Sequence, residues 1–206
     1  MGNSGHGQDA AARGSSPRVP EKLLSAATRL FAEHGFERTS VQELVNAAGV
    51  TKGAMYHYFS SKDDLLFAIY QRVLSMQMRR LNGFAYADGP VEERLRGAAA
   101  DVVHTTVENL DDTRIFFRSL HTLSADRQSA VRKERRKYHE RFREMIEEGQ
   151  REGVFRTDVP ADIVITQYFG AVHHLSTWYH PEGELGGADI GAYFADLLIA
   201  GLRRGR

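Results

Sequence analysis

The chain contains no cysteine, which excludes disulfides and any metal or redox site built on a thiolate. No apolar run reaches the roughly 18 residues that a membrane-spanning helix needs. The N-terminus has neither the basic nor the apolar region of a signal peptide, so a cytoplasmic protein away from any membrane is expected. Alternating β-branched stretches with hairpin turns are missing, as is any internal repeat. There is no P-loop, no dinucleotide fingerprint and no G-x-S-x-G elbow. No glutamate is followed three residues later by histidine, which removes the usual di-metal arrangement of helical bundles. Nothing therefore points to catalysis, to a cofactor or to a metal. The nine histidines do not change this. His173 and His174 are adjacent, so on a helix they point about 100° apart. With His104, His121 and His139 they are expected to line a cavity, partly buried.

What remains is an ordinary globular composition, 42% hydrophobic and 26% charged over 206 residues, enough for one domain or two. The formal net charge is zero, yet it is unevenly placed. Residues 13–62 hold seven Lys/Arg against four Asp/Glu, a net of +3. Such modest basicity argues against indiscriminate electrostatic binding to nucleic acid and is compatible with binding at particular sites.

The stretch SVQELVNAAGVTKGAMYHYFSSK, residues 40–62, organises the rest. Val41, Leu44, Val45 and Ala48 recur at helical spacing and give one apolar face. Ser40 and Glu43 have the form of a capping box, and Gly49 is placed to end the helix in the left-handed conformation. Thr51 can cap a second segment in which Met55 and Phe59 share a buried face. Thr51, Lys52, Gly53, Tyr56 and His57 then lie largely on the opposite side. This is either a helix-turn-helix or a plain helical hairpin with a polar outer face. Gly53 favours the former. It sacrifices roughly 1 kcal/mol of helix propensity relative to alanine, which makes sense where something approaches the backbone.

The runs AATRLFAEHGFERTSV and ELVNAAGVTKGAMYHYFSSKDDLL resemble the N-terminal domain of TetR-family (TetR/AcrR) transcriptional regulators. The resemblance implies an all-α homodimer that binds a palindromic operator in double-stranded DNA and responds to a small-molecule effector. By matching motif, Thr51, Lys52 and Gly53 would approach base edges or nearby phosphates. Tyr56 and His57 would bond the phosphate backbone, and Lys62 matches a backbone-contacting lysine. Thr39 or Ser40 would offer a hydroxyl and free N–H groups to another phosphate. Two rivals stay open: a helical-bundle lipid carrier or enzyme with a vestigial helix-turn-helix, and a module that represses through a protein partner.

Along the chain, residues 1–17 are rich in Gly, Ser and Ala and are expected to form a disordered, solvated arm. Arg13 in this arm and Arg18 just after it are cations that could reach DNA. Residues 18–63 are expected to form the DNA-binding domain and 64–206 a ligand-binding and dimerisation domain. About nine helices are anticipated, near 20–34, 41–48, 52–59, 61–81, 90–109, 113–123, 125–152, 161–179 and 188–203. The first should bury Leu23, Ala27, Leu30, Phe31 and His34. The turn-rich segment at 82–90 should break the chain between the fourth helix and the fifth. The eighth is apolar around most of its circumference. The ninth offers Ile190, Phe194, Leu197, Leu198 and Gly201 as a face for pairing across a twofold axis.

The segment WYHPEGELGGADI and the helix after it resemble, less specifically, the C-terminal domain of TetR-like repressors of lipid and sterol catabolism. Several of these sense fatty-acyl or steroid-derived CoA thioesters, and a multidrug-responsive regulator is the alternative. A cavity lined by Phe116, Phe117, Tyr138, Tyr168, His174 and Trp178 would suit such a ligand. The basic run at 132–143, with seven Lys/Arg against two Glu, is either a solvated helix face or a site for the phosphates.

Overall fold

The computed structural model describes residues 18–204; the arm expected at 1–17, with Arg13, lies outside them. Among the described residues the fold is all-α, with α1 (Val19–His34), α2 (Val41–Ala48), α3 (Lys52–Tyr58), α4 (Lys62–Ala85), α5 (Val91–Glu108), α6 (Leu110–Arg118), α7 (Ala125–Arg151), α8 (Ala161–Trp178) and α9 (Gly187–Leu202). A 3-10 turn, Leu120–Thr122, follows α6. No helix is long and apolar enough to cross a membrane.

The local signals explain most boundaries. Ser40 Oγ accepts from Glu43 N while the Glu43 carboxylate accepts from Ser40 N at 2.7 Å, closing the capping box that starts α2. The Ser40 N–H also holds the Glu43 carboxyl below its ordinary value. Gly49 sits at φ 63°, with its own N–H on Asn46 O and that of Val50 on Val45 O. These are the two bonds of a Schellman ending. Thr51 and Ser61 cap α3 and α4 in turn.

Two apolar clusters form. One gathers α1, α2, α3 and the first half of α4, together with Ile115 and Phe116 of α6 and Val131 of α7. The other joins the end of α4 to α5, α7, α8 and α9. Helix α4 runs through both, so the first cluster extends well past residue 63, as far along α4 as Leu74.

Packing accounts for the differences from sequence expectation. Helix α4 continues to Ala85 because Phe84 lies on Gly97 of α5, where an added Cβ would come within 2.8 Å of the ring. This contact outweighs the poor propensity of Asn82 and Gly83. His34 is exposed rather than on the inner face of α1. Helix α6 begins at Leu110, three residues early, immediately after Asn109 closes α5 through its side-chain bond to Thr105 O. The anticipated face of α9 is divided. Ile190, Leu198, Ile199 and Leu202 are buried in the protomer, chiefly along α5, where Gly191 would place a Cβ 2.8 Å from Ala100 O. Leu197 is 73% exposed.

Candidate nucleic-acid interface and ligand cavity

Met55 is the buried anchor of α3, and Thr51, Lys52, Gly53, Tyr56 and His57 are all exposed. Thr51 Oγ1 accepts from Ala54 N at 3.1 Å, leaving its hydroxyl proton free to be donated outward. Tyr56 is about half exposed, and its hydroxyl makes no hydrogen bond among the described residues. Tyr58, which sequence reasoning passed over, is equally exposed and packs edge-on to His57 at 4.8 Å between centroids.

Two residues expected at the DNA occupy different positions. Thr39 is 1% exposed, and its hydroxyl donates to Gly35 O at 2.9 Å and Leu30 O at 3.3 Å. It fastens the loop between α1 and α2 and has no hydroxyl to offer a phosphate. The Lys62 ammonium is also turned inward, donating to Phe36 O at 2.7 Å, Thr39 O at 3.0 Å and, more weakly, Glu37 O at 3.4 Å. It lies 4.3 Å from the centre of the Phe36 ring. An ammonium has three protons, and this loop accounts for them.

A second site lies where α4, α5, α6, α7 and α8 meet. It is a cavity of about 40 Å³ with Phe116, Phe117, Tyr138, Phe169, His139 and His173 in its wall. Arg135 is the one full charge lining it, with Cζ 5.3 Å and 5.7 Å from the ring centres of Phe116 and Phe117. It has no carboxylate partner among the described residues. Burial lowers the pKa of its guanidinium from the usual arginine value, though arginine stays charged at neutral pH. Burial first, and then Arg135, pushes both His139 and His173 down to about 4, so both are neutral near pH 7.

Phe116, Phe117 and Tyr138 thus belong to the cavity, while three other expected residues do not. Tyr168 is buried beside it, donating to Ala99 O at 2.6 Å and stacked on Phe142. His174 and Trp178 face outward, because α8 turns its Phe169–His173 side to the cavity and the Gly170–His174–Trp178 side to the exterior. The signals were present. Arg135 is four residues after Val131 and three before Tyr138, so a cation stands on the buried stripe of α7. His173 stands four residues after Phe169. Among the described residues, no group of three or more His, Asp or Glu could hold a metal ion.

Residues 23–69 match the family described as bacterial regulatory proteins, tetR family, and residues 88–202 match the tetracyclin repressor-like C-terminal domain. The chain belongs to the TetR family. It is 26% identical over 196 residues to the HTH-type transcriptional repressor KstR2 of Mycolicibacterium smegmatis, spanning 88% of this chain and 89% of that protein. Its fold is similar to that of the TetR-family regulator PfmR from Thermus thermophilus, with a TM-score of 0.81 and 26% identity over 88% of this chain and 99% of that one. It also resembles AibR, solved with isovaleryl coenzyme A and operator DNA, at a TM-score of 0.76 and 23% identity over 90% and 98% of the two chains. The TetR chain described here is a DNA-binding transcriptional regulator and not an enzyme.

Gly53 now yields a two-sided expectation. Nothing inside this TetR chain demands glycine there: an added Cβ would meet only Thr51 Oγ1, at 3.9 Å. Gly53→Ala should therefore stabilise the reading domain by up to about 1 kcal/mol while weakening DNA binding. Thermal melting and fluorescence anisotropy on bound DNA measure the two effects. Unchanged affinity would mean that no DNA comes close at this position.

Proposed function

We propose that this chain is a cytoplasmic homodimeric repressor that grips a palindromic operator through α3 and lets go when an acyl-CoA-like thioester fills the interior cavity. The observation that carries the DNA half is the outer face of α3. Thr51, Lys52, Gly53, Tyr56, His57 and Tyr58 stand in the open on a helix anchored by Met55. Small and hydroxyl groups at the helix start suit base edges, while the tyrosines and His57 suit phosphates. Ser40 serves the backbone from the start of α2. Lys62 and Thr39 act from inside, by setting the loop that holds α2.

Dimerisation is supported by an apolar strip that the protomer leaves open. On α8, Ile163 is 60% and Trp178 47% exposed; on α9, Tyr193 is 56% and Leu197 73% exposed. Two copies of this strip related by a twofold axis form a four-helix seam. The axis would set two copies of α3 one DNA turn apart, about 34–36 Å.

Coupling between cavity and DNA would run through α6. Tyr70, fully buried on α4, donates to Ile115 O at 3.1 Å and Phe116 O at 3.0 Å, and its ring lies 5.0 Å from that of Phe116. Arg72 of α4 bonds Asp112 of α6 at 2.5 Å and Thr28 of α1 at 3.0 Å. A ligand that displaces Phe116 and Phe117 moves α6, and with it α1 and α4. Only a ligand that prefers the displaced geometry shifts the equilibrium.

Two features favour a CoA thioester: the aromatic wall suits an acyl group, and a cationic drug would have to bury its charge beside Arg135. AibR, with its bound isovaleryl coenzyme A, has the same fold. The test is a titration of CoA thioesters, free acids and cationic drugs against the DNA complex. Release by thioesters alone is expected. Release by cationic drugs and by no thioester would overturn the effector assignment and leave the repressor standing. Release by free acids as well as esters would mean that the CoA phosphates are not required.

A further inference from the structure

On the outer side of α7 and α8 lies an open trough of about 630 Å³. Arg132, Arg136 and Arg143 line it, with Glu140 and Asp162 the only carboxylates in the lining. Arg143 bonds Glu147 at 3.1 Å and approaches Asp162 to 3.9 Å, and Arg132 donates to Gln128. Arg136, like Arg135, has no carboxylate partner among the described residues. Arg135 and His139 line both this trough and the interior cavity. They are the partition between the outside and the inside.

The interior, at about 40 Å³, has room for only a few waters and is far smaller than the about 150 Å³ of an engineered cavity that admits benzene. An acyl group cannot enter until part of the wall moves. Most of the wall is packed aromatic and aliphatic side chain. His139 is stacked on Phe169 at 4.3 Å, and His173 lies 4.5 Å from Phe117. Arg135 alone combines a long flexible side chain, a charge held only by ring faces, and a path to the exterior. A guanidinium in that position gains by exchanging two aromatic faces for an anion, which it can bond bidentately in partly desolvated surroundings.

We propose that Arg135 is both the gate and the anchor of the effector site. An amphiphilic organic anion docks its charged group in the trough, where Arg135 turns outward to meet it beside Arg132 and Arg136. The movement of Arg135 frees the space over Phe116 and Phe117, and the apolar body of the ligand follows into the cavity past His139. This role rests on the cavity being the effector site, and the test separates the two. The shared ligand chemistry is an anionic head on an apolar body. The head is either the phosphates of a CoA ester or the carboxylate of a free acid.

Titration calorimetry on the full chain, with isovaleryl-, octanoyl- and palmitoyl-CoA, octanoate and CoA alone, decides between outcomes. For Arg135→Met, affinity for whichever ligand binds the wild type best should fall about 30-fold, the worth of one hydrogen bond to a charged group. The melting temperature should hold or rise, since a desolvated cation without an acid is removed. A structural cation would behave the other way, lowering the melting temperature and leaving affinity intact. With Arg132→Gln/Arg136→Gln, loss for the esters but not for octanoate identifies phosphate as the head that docks, loss for octanoate but not for the esters identifies the carboxylate, and equal loss for both shows that the trough takes either anion. If an ester or octanoate binds the wild type and Arg135→Met binds it equally well, the gate is refuted and the effector site survives. If none of these ligands binds the wild type, the effector reading falls, and the gate falls with it.

Discussion

Leu197→Asp converts the protein into a folded monomer that no longer holds its operator. Leu197 is 73% exposed in the protomer, so the substitution removes little from the protomer's own core. Across the proposed twofold seam it buries two unpaired carboxylates in an apolar strip, at a cost on the order of several kcal/mol each. Sedimentation should shift from dimer to monomer, and operator affinity should fall by orders of magnitude, because one reading helix binds only half a site. The melting transition of the monomer should remain cooperative. Leu198→Asp, one residue further on but buried in the protomer, should instead lose the fold. A dimer unchanged by Leu197→Asp would place the interface elsewhere. Phe194 is a poorer probe, since it already packs against the protomer's core.

Lys62→Met should damage the reading domain from within. It removes charge-assisted bonds to Phe36 O and Thr39 O, each worth about 1.5–3 kcal/mol. It leaves Thr39 O short of a donor and Phe36 O with only the Thr39 N–H, at 3.3 Å, at the point where the chain enters α2. A stability loss of that order is expected, with weaker binding to specific and non-specific DNA alike. Salt dependence distinguishes this from a lysine on the DNA. Losing a phosphate contact lowers the slope of log affinity against log salt by about 1, whereas losing an internal fastener leaves the slope unchanged. A reduced slope together with unaltered stability would return Lys62 to the DNA backbone.

The reading half of the molecule was legible because its instructions are local. Ser40 with Glu43, Gly49, Thr51 and Ser61 each fix a helix end through bonds within about five residues. Periodicity alone assigned Leu44, Val45, Ala48 and Met55 to the core. What sequence could not supply was the direction of side chains whose partners are distant. Thr39 reads as a surface hydroxyl until Leu30 O is found beneath it. Lys62 reads as a free cation until the loop 23 to 26 residues earlier folds over it.

The half proposed to hold the effector was less legible for the same reason. The face of α9 divides because α5 covers one side of it, and nothing near residue 190 announces α5. Arg135 was hidden by its neighbours: amid seven basic residues its place on the Val131–Tyr138 stripe was easy to overlook. The choice of His174 over His173 was an error of about 100° on one helix, which the spacing from Phe169 could have prevented.

The central claim, that α3 reads an operator as one of a symmetric pair, is tested most directly by selecting bound fragments from random double-stranded DNA with the full chain. The account predicts enrichment of an inverted repeat whose half-sites are centred about 10–10.5 base pairs apart, or a multiple of that, and loss of the enrichment with Gly53→Ala. Recovery of a pool indistinguishable from the input, or of a motif unaffected by changes on α3, would contradict it.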